Sequence, residues 1–256
     1  MQLNFSNLPL VEVTLRVAPG QPVMLDVPHL ADAIVKLREC GFNDSELSTE
    51  YHFAPGAPPL FQVGPGAISG LRFRDAGAGL TLILQSDLIL LGWQNPRLEV
   101  SYEYPRFPAM LERLRVAVEK LRDAGLEFRD FRAANMSYRD FVRTDQAPTA
   151  QVIRTYLRSE AIPELQPSDC RFHETNLSWK TAHGTDLRLH IQGIAGVTGI
   201  YPADNGFALT SIAGRLVEPI EWPGILFEEL HAELLDLFDS VITKHAREEW
   251  GYAGPA

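Results

Sequence analysis

Two amphipathic helix patterns, each preceded by a run of strand-like sequence, constrain the fold of this chain most strongly. The first follows Tyr104-Pro105 and closes at Gly125, and the second follows Trp222-Pro223 and runs to Trp250. Their stripes recur at spacings of three and four, the period of one helix face. The stripe residues are Phe107, Leu111, Leu114, Val118 and Leu121 in the first helix, and Phe227, Leu230, Leu234, Leu237, Val241 and His245 in the second. Each helix therefore needs a sheet against which to bury its stripe.

Strand and short-helix patterns precede both long helices in the same order. The first half has a strand at 8–17, a helix at 28–39 and a meander at 71–74, 80–84 and 88–93; the second has strand-like sequence at 128–142, a helix at 150–158 and strands at 170–180, 187–191 and 207–217. This order predicts an α+β fold in which antiparallel sheets pack against two long amphipathic helices. It also predicts a duplicated strand-helix-meander-helix unit, with halves at 1–125 and 126–256 in one compact unit. Chance similarity between two α+β halves is the alternative, because the residue identity between them is poor.

Composition excludes several classes of protein. A formal charge of −10 over 256 residues argues against a general binder of the phosphate backbone. Two cysteines, Cys40 and Cys170, cannot form a disulfide framework. The sequence starts without a basic, apolar leader, and no apolar stretch is long enough for a bilayer span. We therefore expect a cytoplasmic protein without a membrane segment.

No catalytic, metal or cofactor signature is present. The sequence lacks a phosphate loop, a nucleophile elbow and a His-Glu-x-x-His helix. Cys170 and His173 would point to opposite faces of an extended strand, which is unsuitable for a shared zinc ion. Acidic residues near predicted turns, such as Asp186 and Glu218, are explained by exposure to solvent. The sequence predicts no catalytic residue, no metal and no cofactor.

Four residues define a candidate ligand site between the sheet and the first long helix. Trp93 and Tyr104 flank the predicted junction between meander and helix, while Arg132 and Asn135 lie in the strand that follows. An arginine with neighbouring aromatic rings can hold a small anionic or aromatic ligand, so a ligand-binding protein or an enzyme with a pocket here is an alternative function. Aromatic packing under the start of the helix is the alternative reading of Trp93 and Tyr104.

One segment interleaves arginines with aromatic residues in an otherwise acidic protein. It contains Arg129, Arg132, Arg139 and Arg143 together with Phe128, Phe131, Tyr138 and Phe141. Such a pattern can bind single-stranded nucleic acid by stacking and charge. Asp130 and Asp140 lie inside the same segment and can pair with its arginines. A solvated or ion-paired strand is therefore the alternative, and nucleic-acid binding is the weaker hypothesis.

Acidic residues on the last helix form a candidate surface for a basic protein partner. They include Glu228, Glu229, Glu233 and Asp236. A solvated helix face is the simpler explanation of the same charges. A homodimer through an exposed sheet edge is left open, since no heptad seam is visible.

Several short segments together resemble an uncharacterised, sporadically distributed family of bacterial proteins of similar length. The resembling segments are Pro9-Leu10-Val11-Glu12, Trp93, Tyr104-Pro105-Arg106-Phe107, Arg132 to Asn135, Glu229-Leu230-His231 through Phe238, Ile242-Thr243 and Trp250-Gly251. The resemblance implies a shared fold plan and no established activity, and its sporadic distribution resembles that of genes in mobile or defence cassettes. With no catalytic signature in the residues, we expect a non-enzymatic binding or accessory protein that acts through a protein partner.

Overall fold

The computed structural model describes residues 3–5, 9–48, 70–95, 104–159, 174–195 and 205–255. Within these ranges the elements are, in chain order, β1 (Leu3–Phe5), β2 (Leu10–Pro19), α1 (Val27–Arg38), β3 (Asp44–Ser48), β4 (Gly70–Asp75), β5 (Leu80–Gln85), β6 (Leu88–Gln94), α2 (Phe107–Asp123), β7 (Phe131–Arg143), α3 (Ala150–Tyr156), β8 (Glu174–Lys180), β9 (Asp186–Ala195), β10 (Asn205–Ile220), α4 (Gly224–Val241), α5 (Lys244–Glu249) and β11 (Tyr252–Pro255). Helices combined with a large antiparallel sheet confirm the α+β class.

A nine-stranded antiparallel sheet forms the frame of the described chain. Its order is β3-β4-β5-β6-β2-β7-β10-β9-β8, while β1 and β11 pair separately. The central neighbours β2 and β7 are the first long strands of the two halves, and they pair from Leu10 opposite Asp140 to Pro19 opposite Phe131. One continuous sheet therefore joins the first half of the chain to the second.

The alternation of apolar and polar residues in β2 determines which way each side chain points. Val13, Leu15 and Val17 are fully buried, and they share one face because side chains alternate along a strand. Glu12, Thr14 and Arg16 therefore lie on the opposite face. A shift of one residue in register would reverse this arrangement, which is why the pattern fixes the pairing of the strand.

The five described helices bury their apolar residues against the face that carries Val13 and Leu15, here called the helix face. The larger apolar cluster takes Leu37 from α1, Leu114 from α2 and Phe227 from α4. The smaller one takes residues of α3, α4 and α5. On the opposite side, here called the second face, three small clusters consist of strand residues alone.

The two halves place corresponding elements at corresponding positions in the sheet. The first long strand of each half, β2 or β7, lies at the centre of the sheet. Outward from β2 lie β6, β5 and β4, and outward from β7 lie β10, β9 and β8, each set in reverse chain order. A short helix follows each first strand, and α2 and α4 follow the last meander strand of each half. Apart from the edge strand β3, which has no counterpart among the described strands of the second half, the strand order is therefore palindromic about the pairing of β2 with β7.

The last helix differs from its predicted extent. Periodicity predicted one helix to Trp250, but α4 ends at Val241 and α5 begins at Lys244. Ile242 adopts an extended conformation and forms a bridge with Leu157, while Arg158 Nε donates to the Ile242 carbonyl at 2.8 Å. These contacts with the end of α3 accompany the break between α4 and α5. A pattern of local sequence cannot indicate them, because α3 is distant along the chain.

One further difference concerns the first edge of the sheet. β3 pairs with β4 through Leu47 opposite Leu71, although the short polar segment Asp44–Ser48 was not predicted as a strand. Residues 170–173 of the predicted strand at 170–180 lie outside the described residues. Within the described ranges, no helix combines the length and apolar character that a bilayer crossing requires.

The pairing of β2 with β7 contains a buried hydrogen bond whose contribution to stability can be measured by a double-mutant cycle. Thr14 Oγ1 and Ser137 Oγ are 2.6 Å apart. We expect Thr14→Val or Ser137→Ala alone to reduce the free energy of unfolding by about 1–3 kcal/mol, because the remaining hydroxyl stays buried without a partner. The double variant should lose less than the sum of the single losses, as measured by urea unfolding. Strictly additive losses would show that the two hydroxyls do not interact.

Candidate functional site

The four predicted ligand residues do not come together in one place. Trp93 is opposite Val13, whereas Asn135 is opposite Arg16. Since Val13 and Arg16 are three positions apart on β2, Trp93 lies on the helix face and Asn135 on the second face. Arg132 is half-buried near the start of β7 and has no polar contact within the described part of the chain. Only Trp93 and Tyr104 meet, with ring centroids 5.2 Å apart.

Trp93 and Tyr104 belong to a buried aromatic cluster that also contains Phe107, Tyr138 and His231. Tyr138 Oη and His231 Nδ1 are hydrogen-bonded at 2.9 Å, and the Phe107 ring stacks on His231 at 4.1 Å. Trp93 is only 2% exposed. This packing beneath the start of α2 is the alternative that the sequence had left open for Trp93 and Tyr104.

Burial keeps the titratable groups of the aromatic cluster neutral. It raises the pKa of Tyr104 to about 12 and that of Tyr138 well above 10. It lowers the pKa of His231 to about 4. Desolvation is the dominant cause in each case, because a low-dielectric environment disfavours the charged form. The cluster therefore provides neutral hydrogen bonds at neutral pH.

Asp140 lies next to this cluster and was interpreted from sequence as a partner for the arginines of β7. It is on the helix face opposite Leu10 and Leu209, whereas Arg139 points to the second face. Asp140 is 1% exposed and its Oδ1 has no hydrogen-bond partner. Burial raises its pKa to about 7. The absence of a partner for the Asp140 carboxylate depends on the neighbouring strands, so no local pattern indicated it.

The centre of the second face carries the strongest polar arrangement in the described structure. Glu12, Thr14 and Arg16 on β2 face Arg139, Ser137 and Asn135 on β7, respectively. We call these six residues the central polar rows. Glu12 Oε2 is 3.1 Å from Arg139 Nη1, and Arg139 Nε donates to Thr210 Oγ1 at 3.2 Å. The Thr14–Ser137 hydrogen bond occupies the middle of the rows.

Arg16 and Asn135 differ from the other members of the rows. Arg16 Nε and Asn135 Oδ1 are both buried without a hydrogen-bond partner. Burial lowers the pKa of Arg16; Glu12 opposes this effect and Arg139 adds to it. The guanidinium nevertheless stays charged. Gly214, opposite Asn135, leaves room for the amide, since a Cβ there would be 2.8 Å from Asn135 Nδ2. Arg16 was not selected from the sequence, where it is one polar residue in an alternating strand.

Two of the four predicted acidic residues on α4, Glu229 and Glu233, form ion pairs within the chain. Arg215 Nη1 donates to Glu229 Oε2 at 2.5 Å, and Arg215 Nη2 lies 3.4 Å from Glu233 Oε1. Glu228 and Asp236 are exposed. Two of the four predicted acidic residues therefore remain available on the surface of α4.

The arginine-aromatic segment has a different arrangement from the stacking surface that nucleic acid needs. Phe128, Phe131 and Phe141 are each at most 1% exposed, and Tyr138 belongs to the aromatic cluster. Arg129 pairs with Glu127 at 2.8 Å. The aromatic rings of this segment are thus unavailable for base stacking.

A surface cleft that the sequence did not indicate lies where the turn after β2 meets the turn after α2. Its volume is about 520 Å³, and its lining includes Met24, His29, Glu127, Arg129 and Asp130. Glu127 and Arg129 are paired with each other. Because two of its charged side chains neutralise each other, this cleft shows less sign of ligand recognition than Arg16 and Asn135. Within the described chain, no three His, Cys, Asp or Glu side chains converge as metal ligands; Cys170, His173 and Asp204 lie outside the described residues.

The raised pKa of Asp140 predicts a pH-dependent stability. The folded-state pKa of about 7 exceeds the ordinary value of 3.8, so the folded chain binds the proton more tightly and wild-type stability falls as pH rises from about 4 to about 7. Asp140→Asn removes this loss. Urea unfolding should show an advantage of the variant that grows by on the order of 3 kcal/mol between pH 4.5 and pH 8. An advantage independent of pH would contradict the shift.

Comparison with known proteins adds no assignment. No family model matches the chain, and no curated protein matches it.

Proposed function

We propose that this chain is a non-enzymatic binding protein that recognises a carboxylate group at the central polar rows. The observation that carries the proposal is Arg16, a partly buried cation whose Nε has no acceptor. A desolvated charge without a partner is costly, whereas a bound anion would compensate it. The proposal corresponds to the anionic ligand expected from sequence, moved from the helix face to the second face.

The geometry around Arg16 favours a planar monoanion. A guanidinium binds a carboxylate through two parallel hydrogen bonds. Asn135 lies directly opposite on the next strand, so its amide can donate a third bond. The rows contain two positive charges, on Arg16 and Arg139, and one negative charge, on Glu12. A single carboxylate neutralises the remaining positive charge.

The net charge of the protein also limits the kind of molecule that can carry the bound carboxylate. With a net charge of −10, the protein as a whole repels polyanions. A single carboxylate, either on a small free acid or on a peptide side chain, avoids that repulsion. These two sources share the same chemistry and differ in what surrounds the carboxylate, so an experiment can separate them.

The non-enzymatic part of the proposal is supported by the groups next to Arg16. The Thr14 and Ser137 hydroxyls are bonded to each other, and the Glu12 carboxylate is engaged by Arg139. Within the described rows, no hydroxyl is paired with a general base, which nucleophilic catalysis requires. Binding without turnover is the activity that these residues support.

Nuclear magnetic resonance of Arg16 tests the proposal directly. On titration with glutarate, we expect a saturable shift of the Arg16 Nε–Hε signal and of the Asn135 side-chain amide. A peptide containing one glutamate forms the second arm, and tighter binding in that arm would identify a peptide source. Arg16→Met should weaken binding by tenfold or more, while Arg129→Met, which removes an exposed ion pair, should leave binding unchanged.

The same variant separates a binding role from a structural one. Because Arg16→Met removes a partly buried charge whose Nε has no acceptor, it should raise or preserve the melting temperature of the free protein. A fall of several degrees would assign Arg16 to stability. Equal glutarate shifts in the wild type and in Arg16→Met would contradict the proposed site.

A second candidate function is that of an accessory protein with a basic protein partner bound to α4. Glu228 and Asp236 favour it, since both are exposed. A tagged pull-down at modest salt should yield a stoichiometric partner that the double variant Glu228→Lys/Asp236→Lys loses. Glu248→Lys on α5, where an exposed pair with Lys244 is present, is the control and should retain the partner. Retention by all variants would contradict docking on α4.

Two further expectations belong to the proposal. We infer that the halves 1–125 and 126–256 derive from a duplication, which the palindromic strand order supports. The cytoplasmic location expected from sequence stays a prediction; the small number of cysteines, two in 256 residues, favours it.

A further inference from the structure

The edge strand β8 leaves an exposed surface that includes a large aromatic side chain. β8 ends the sheet beyond β9, and among the described strands none pairs with its outer side. Trp179 is 41% exposed. An uncovered edge strand offers free N–H and C=O groups to another chain. The strand therefore has both the backbone groups and the apolar side chain of an interaction surface.

The sequence of β8 is complementary to itself when two copies run antiparallel about Leu177. This register places Glu174 opposite the partner's Lys180, and Lys180 opposite the partner's Glu174. Opposite charges directly across a strand pair are favourable. We propose that two copies of this chain associate through β8, extending the sheet of each copy into the other.

The two faces of β8 fit this arrangement. Leu177 and Trp179 are opposite Leu189 and Leu187 of β9, so they lie on the helix face. In the proposed register Trp179 is diagonal to the partner's Leu177, within reach of a large aromatic ring. Four apolar side chains, two from each copy, form a strip at the junction. Glu174 and Lys180 lie on the second face, where the charges pair.

The other edge of the sheet lacks this complementarity. β3 carries Asp44 and Glu46, and antiparallel pairing about Glu46 places that residue opposite the partner's Glu46. Like charges directly opposite are destabilising. Glu46 is also held by Arg72 and Arg74 of β4 at 3.2 and 2.7 Å. The in-chain contacts of Glu174 with His190 and of Lys180 with Asp186 are longer, at 3.7 and 4.0 Å. A second copy is therefore better accommodated by β8 than by β3.

Charge reversal tests the proposed register. Sedimentation of the wild type should show a monomer–dimer equilibrium. Glu174→Lys and Lys180→Glu should each weaken the dimer about tenfold, because each places two pairs of like charges across the junction. The double variant Glu174→Lys/Lys180→Glu should restore wild-type affinity. Lys244→Glu, on an 89% exposed side chain of α5, should have no effect.

A cysteine at the symmetry axis provides a second test. In a background of Cys40→Ser and Cys170→Ser, Leu177→Cys should form a disulfide-linked dimer on a non-reducing gel, since opposite residues on antiparallel strands are close enough for a disulfide. A monomeric wild type at all concentrations would overturn the proposal. So would a dimer insensitive to both single charge reversals, because its interface would then lie elsewhere. Neither result bears on carboxylate binding, which is located at the centre of the sheet.

Discussion

The pairing of β2 with β7 is the interaction on which the rest of the structure depends. It unites two meanders, each of which is built from strands close in sequence, and it brings together residues as far apart as Thr14 and Ser137, 123 positions along the chain. Without it, β2 and β7 would each be a long edge strand, paired on one side only, with β6 and β10 respectively. The pairing also places side chains of both halves under α2 and α4, so that one apolar cluster contains residues from the two halves.

The two faces of this pairing have different physical roles. On the helix face, apolar and aromatic groups exclude water, and even Tyr138 and His231 are held in their neutral forms by burial. On the second face, charged and hydroxyl side chains of the same strands lie side by side. Arg16 lies among them, with its Nε buried and without an acceptor. The separation of roles follows directly from the alternation of side chains along each strand.

Patterns of local sequence were sufficient for the class of fold and for most strands and helices, because period and turn residues are local properties. They were insufficient where a distant contact decides the outcome. The stripe of α4 continues through Val241 to His245 in sequence, yet the contacts of Ile242 with Leu157 and Arg158 interrupt the helix. Asp140 and Arg139 are adjacent in sequence, but they point to opposite faces and meet different surroundings. The candidate site was likewise only partly visible. Asn135 was predicted as a ligand residue together with Arg132, whereas the arginine that it faces in the sheet is Arg16, from a strand more than a hundred positions away.

The pairing of β1 with β11 brings the two ends of the described chain together, with Leu3 opposite Pro255. Ends that are neighbours in space can be joined by a short linker without disturbing the sheet. New ends can then be opened in a turn, for example at Gly184, where the backbone has a φ of +81° and nothing lies within 4 Å of an added Cβ. In such a circularly permuted chain β9 and β10 would precede β2 and β7 along the sequence, and the hairpin of β8 with β9 would become a pairing between the two ends of the chain.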